Sequence, residues 1–139
     1  MIADIPRTFP ARVDGFYVAP DGCHYETRVD FVQCHVLEFC TCGRPGDNLF
    51  FILQVLELIA EKSPDNPKAW DTWWDGHKKR RDALFATIES QYFMWYWLDA
   101  EGLTEHGTGM PGWLTPKGEN LLALLREFHA SREAWEDQT

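Results

Sequence analysis

Basic side chains are scarce in this chain. Thirteen Lys and Arg stand against 22 Asp and Glu, for a net charge of −9. That balance opposes non-specific attachment to nucleic acid, whose phosphates draw Lys and Arg. It suits a soluble protein, or one that docks on a basic partner surface. Long apolar runs are lacking too. The most apolar stretch, "ALFATIESQYFMWYWL", is interrupted by Glu89, Ser90 and Gln91. It also falls short of the ~20 residues of a membrane span, so no membrane partner is expected. The opening residues "MIADIPRTFPARVDG" carry neither an apolar core nor a cleavage pattern, so no signal peptide is expected. The expected setting is cytoplasmic, where thiols stay reduced and four Cys do not imply disulfides. The common catalytic fingerprints are missing as well: no P-loop, no Gly-x-Ser-x-Gly, no His-Glu-x-x-His and no dinucleotide motif. No catalytic residue is assigned, and a non-enzymatic protein is expected.

What the chain does have is apolar and aromatic. Of 139 residues, 45% are hydrophobic and 14% aromatic, with seven Trp. This is a globular composition, long enough for one domain with a real core. Residues 1–22 read as an extended arm, punctuated by Pro6, Pro10, Gly15, Pro20 and Gly22, with one short strand "GFYVA" ended by "PDG". Residues 23–62 read as two helices. Tyr25, Val29, Val32, Val36 and Phe39 fall at helical spacing, and Gly43 and Pro45 stop that helix. The second helix runs from Asp47 to about Lys62. Leu49, Ile52, Leu53, Leu56, Ile59 and Ala60 face inward, while Gln54, Glu57 and Glu61 form a polar line so narrow that it implies deep burial.

Residues 67–139 hold the rest. Asn66-Pro67 opens a third helix with Trp70, Trp73, Trp74 and His77 on one face. A fourth helix, or a continuation of it, runs from about Asp82 to Glu101. It is apolar nearly all round, which suits a central position, and it closes on Gly102. Leu103–Glu105 and Trp113–Thr115 flank a Gly-rich turn as a hairpin. Thr115-Pro116 then opens a closing helix with a stripe of Leu121, Leu124, Leu125 and Phe128. The expected fold class is mainly α (α+β), with four to five helices and a small β-hairpin.

Three sets of residues are candidates for function. The first is Cys40 and Cys42 in "FCTCGRPGD". Thiolates bind zinc, and a structural zinc site needs four Cys or His ligands. Cys34, His35 and His106 are candidate further ligands, with Cys23 and His24 also in reach of the sequence argument. The other readings are two small residues packed at a helix end capped by Gly43, or a reactive thiol, which the negative end of a helix disfavours. The cofactor expectation is accordingly none, or one structural zinc. The second set is Lys78, Lys79, Arg80 and Arg81 in "HKKRRD". These could contact phosphates, or form a solvated face balanced by Asp71, Asp75 and Asp82. The third set is aromatic. Two helices cannot easily hide Trp70, Trp73, Trp74, Tyr92, Trp95, Tyr96 and Trp97 together. Trp70, Trp73, Trp74, Tyr96 and Trp97 are the candidate anchors of a partner or homodimer surface. His106 beside Glu105 makes no acid–base pair, since adjacent strand residues point to opposite faces.

The series helix, Gly-Leu, hairpin, "LTPKG", Leu-rich helix resembles the wing and closing helix of winged-helix proteins, including the multiple-antibiotic-resistance-type regulators. That resemblance covers the last third of the chain and implies a winged-helix-like C-terminal end. It leaves a nucleic-acid-binding regulator as an alternative, although "ALFATIESQYFMWYWLD" offers almost no base-reading side chains. The combination "FCTCGRPGD", "YWLDAEGLTEHG" and "GWLTPKGENLL" resembles a family of small phage- and prophage-encoded proteins. This resemblance implies an accessory protein of a mobile element in a bacterial cytoplasm, binding a host or defence protein as inhibitor or adaptor. A small zinc-binding protein is the further alternative.

Overall fold

The computed structural model describes residues 5–37, 45–61, 69–106 and 111–137. These are mainly helical, with two small antiparallel sheets. The contacts divide the chain into two compact units. One comprises Phe51–Glu119; the other joins the residues up to Phe50 with those from Asn120 onward. The boundaries fall inside two helices, α2 (Pro45–Ala60) and α6 (Pro116–Asp137).

The N-terminal part of the second unit is a three-stranded sheet rather than an arm with one strand. β1 (Arg12–Val13), β2 (Phe16–Val18) and β3 (His24–Tyr25) lie in that order. Arg12 pairs with Tyr17, and Tyr17 with Tyr25. Asp14 and Gly15 both have positive φ, 53° and 88°. A two-residue hairpin turn of the type that matches strand twist requires this, and Asp-Gly meets it at little cost. The "PDG" turn joins β2 to β3, with the Asp21 carboxylate accepting from the Cys23 N–H at 3.1 Å. Tyr25, expected inside a helix, is therefore in a strand.

Thr27 caps the helix that follows, accepting from the Asp30 N–H at 3.0 Å. α1 (Arg28–Asp30) passes directly into a π-helical segment, Phe31–Val36. The Leu37 N–H reaches the Val32 carbonyl, five residues back, at 2.7 Å. Phe31, Val32, Val36 and Leu37 are all buried. Their five-residue repeat suits the wider turn, which the expected α spacing did not anticipate. Phe31 anchors an aromatic cluster with Phe9 at 5.7 Å, Tyr25 at 5.8 Å and His35 at 5.2 Å between ring centres. The Arg28 guanidinium lies over Phe9 and 3.6 Å from Glu127. Asn120 donates to the Ile5 carbonyl at 3.0 Å, tying the segment before β1 to α6 within this unit.

In the Phe51–Glu119 unit, α2 contributes Ile52, Leu53, Val55, Leu56, Leu58 and Ile59 to the core. Phe51, Gln54 and Glu57 form its half-buried line, and Ala60, expected inside, is exposed. Three helices follow where two, or one continuous helix, were expected: α3 (Ala69–Gly76), α4 (Lys78–Leu84) and α5 (Ile88–Ala100). The break before α5 has a local cause. Phe85 adopts an extended conformation. Thr87 then caps α5 in a reciprocal box with Ser90, at 3.0 and 3.3 Å.

The end of α5 matches the sequence reading. The Leu103 N–H bonds to the Leu98 carbonyl at 2.9 Å and the Gly102 N–H to the Asp99 carbonyl at 3.0 Å, a Schellman termination. β4 (Thr104–Glu105) pairs with β5 (Trp113–Leu114). The start of α6 is bolted to this turn. The Thr115 hydroxyl donates to the Gly102 carbonyl at 2.7 Å and accepts from the Gly118 N–H at 3.1 Å. Lys117 donates to the Glu101 carbonyl at 3.0 Å. Gly118 passes so close to Leu103 that an added Cβ would lie 2.1 Å from its carbonyl oxygen. The "LTPKG" run thus has a mechanical meaning: hydroxyl, ammonium and missing side chain each serve one junction.

Candidate functional site

α5 is apolar on two sides, but only one is covered. Gln91, Trp95 and Leu98 are buried, and the Trp95 ring meets Phe85 edge-on at 5.3 Å. On the other side Ile88, Tyr92 and Tyr96 follow at four-residue intervals, with Phe93 beside them. All four are exposed; Phe93 is 74% and Tyr96 63% accessible. Residues four apart on a helix stack on one face. Four large apolar side chains there form a continuous ridge, and such ridges mark interaction surfaces when a chain is folded without its partner. Covering an exposed ring of this kind contributes about 1.5–3 kcal/mol.

The candidate anchors from sequence separate on this basis. Tyr96 lies on the ridge. Trp97 and Trp74 are half-buried. Trp73 is buried, its indole N–H donating to the Leu58 carbonyl at 2.8 Å and its ring stacked on His77 at 5.7 Å, so it serves the core rather than a partner. Trp70 lies in α3, with its side chain outside the described residues. Sequence reasoning missed Ile88 and Phe93 and did not choose Tyr92. The signal was the four-residue spacing of Ile88, Tyr92 and Tyr96, hidden because the helix is apolar elsewhere too.

The basic run is dispersed by folding. Lys78 bonds to Asp82 at 2.7 Å. Arg80 is paired with Glu61, which also bonds to His77 Nε2 at 2.6 Å. Arg81 is buried against Trp74. Among the described residues, Lys79 is the one of the four left exposed without a charge partner.

The metal candidates divide similarly. Cys40 and Cys42 lie outside the described residues. Cys34 and Cys23 are exposed free thiols. His35 packs on Phe31 and Tyr25, with Nδ1 4.0 Å from Asp21. The Asp21 carboxyl is held below its ordinary value, chiefly by the Cys23 N–H and in smaller part by the Cys23 thiol and His35. The Tyr25 hydroxyl is pushed up, first by burial and then by Cys23 and Asp21. His106 Nδ1 lies 2.9 Å from Asp99. Among the described residues, no group of three or more His, Cys, Asp or Glu could hold a metal ion, and none of the helices is long and apolar enough to cross a membrane.

Neither a known protein family, nor a curated protein, nor a solved structure matches this chain.

Proposed function

We propose that the chain is a non-enzymatic interaction protein, an inhibitor or adaptor that binds a host or defence protein in the cytoplasm of a bacterium carrying a phage or prophage. The observation that carries this reading is the exposed Ile88, Tyr92, Phe93 and Tyr96 ridge of α5. Aromatic rings on a rigid helix lose little freedom on docking and are the usual anchors of protein interfaces. The helix–hairpin–helix order of α5, β4, β5 and α6 supports a winged-helix-like description of this end. A nucleic-acid role is the weaker reading, because three of its four candidate cations are paired or buried.

The test compares the wild-type chain with Phe93→Asp/Tyr96→Asp as bait in a bacterial lysate, alongside sedimentation of each. A protein retained in near-stoichiometric amount by the wild type and lost by the variant supports the reading. Equal retention by both, or no retained protein with a monomeric wild type, refutes it.

A further inference from the structure

Arg81 is 4% exposed, a rare position for a guanidinium. Its partners are few. Nη2 donates to the Trp74 carbonyl at 2.6 Å, and Nη1 reaches Gln91 Oε1 at 3.4 Å. Nε is buried with no partner. The guanidinium carbon lies 3.5 Å from the centre of the Trp74 ring. Stacking on Trp offsets part of the desolvation of a cation but supplies no negative charge. Among the described residues no carboxylate lies within ion-pair distance of Arg81: Asp82 is taken by Lys78, Glu61 by His77 and Arg80, and Asp82 and Asp75 act on the guanidinium only from farther away. A buried charge without its opposite is costly, so folded proteins normally pair it.

Beside Arg81 is an open cavity of about 450 Å³, which falls within the range of small-ligand sites. Its apolar lining comes from Trp74, Phe85 and Ile88, and its polar lining from Arg81, Lys78, Thr87 and Gln91 together with the carboxylates of Asp75 and Asp82. Thr87 and Ile88 are the start of α5, a 13-residue helix whose positive end therefore borders the cavity.

We propose that this cavity binds a carboxylate carried on an apolar or aromatic group, with Arg81 as its charge partner. The planar fork of a guanidinium matches the two oxygens of a carboxylate. A dianion such as phosphate fits less well, because Asp75 and Asp82 line the same cavity and repel a second charge. The site does not depend on the function proposed for the α5 ridge. Because Ile88 belongs to both, the carboxylate has two sources, a free acid or the acidic side chain of a docked segment.

The test follows the Arg81 Nε–H resonance by NMR while the full chain is titrated with benzoate, its neutral isostere benzamide, inorganic phosphate, and a capped Phe-Asp-Phe peptide. A saturable shift with benzoate, absent with benzamide and phosphate, supports the site with a free acid as its source. A saturable shift with the peptide alone supports it with a docked acidic side chain as its source. No saturable shift with either carboxylate, or an equal response to benzamide, overturns it. Arg81→Lys keeps the charge but loses the fork; followed at the Thr87 and Ile88 backbone amides, which line the same cavity, it binds benzoate roughly tenfold more weakly than the wild type. If that variant does not fold, the benzoate and benzamide pair on the wild type still decides.

Discussion

Gly118 and Gly76 allow one substitution to be tried with opposite expected signs. Both lie in the Phe51–Glu119 unit, so one unfolding transition reports on both. In Gly118→Ala the new methyl would sit 2.1 Å from the Leu103 carbonyl oxygen and 3.1 Å from its carbon. That oxygen is held in place, accepting from the Thr115 N–H at 3.1 Å. The methyl cannot be relieved by swinging a flexible side chain; backbone has to move. Overpacking of this kind costs about 1–3 kcal/mol. Against it stands the gain from replacing a helix glycine by alanine, about 0.5–1 kcal/mol. An approach as short as 2.1 Å to a fixed backbone oxygen belongs in the upper part of that clash range, so the clash wins and Gly118→Ala loses up to about 2.5 kcal/mol. Gly76 closes α3, has no positive φ, and a Cβ added there meets nothing within 4 Å. Gly76→Ala therefore gains about 0.4–1 kcal/mol, largely by restricting the unfolded chain. Equilibrium urea unfolding measures both, with an unchanged denaturant slope as the check that the denatured state is the same. If Gly118→Ala proves as stable as the wild type or more so, the close approach of α6 to Leu103 is wrong; a loss in Gly76→Ala instead refutes the open space at the end of α3.

Thr115→Val removes both the hydroxyl donor to Gly102 and the acceptor for Gly118 and costs about 2–3 kcal/mol, whereas Thr115→Ser stays within about 1 kcal/mol of the wild type in the same urea assay. Phe93→Ser and Tyr96→Ser leave thermal stability within about 0.5 kcal/mol, since neither ring is packed, while lowering retention of any bound protein. Trp73→Phe leaves the buried Leu58 carbonyl without its donor and costs about 1–3 kcal/mol by urea unfolding. The Asp21 carboxyl titrates below its ordinary value when followed by carbon NMR. Its folded-state value is depressed, so the small stability it contributes is present above the unfolded value and lost as pH falls through the folded one.

Legibility followed the range of the interactions. The junction from Gly102 to Gly118 could be read because its signals are local: a glycine after a helix, and Thr-Pro before the next. The N-terminal sheet could not, because its strands are two or three residues long and too short for alternation to register. Its best signal, Asp14-Gly15, sat in a stretch dominated by prolines. The π-helical segment escaped because Val32 and Val36 also fit α spacing, and only Phe31 and Leu37 distinguish the wider turn. On α5, an apolar surface all round says that one side is covered but not which. The exposed ridge is decided by where neighbouring elements pack, not by the helix itself. Arg81 was misleading for a similar reason. Four consecutive cations read as a surface, and its stacking on Trp74, seven residues earlier, reaches across the break between α3 and α4.

The π-helical segment also sets how this stretch tolerates changes in length. Each residue of an ordinary helix advances the chain by about 100°, so a lost codon normally swings every later side chain off its seat. Between Phe31 and Leu37 the situation differs, because the buried pairs are five residues apart. Removing one residue at Gln33 would leave Phe31 and Val36, and Val32 and Leu37, four residues apart, which a standard helix also aligns. An added residue would have no such refuge. In a gene that drifts by small insertions and deletions, this segment is a place where a triplet can be lost and the hydrophobic contacts kept.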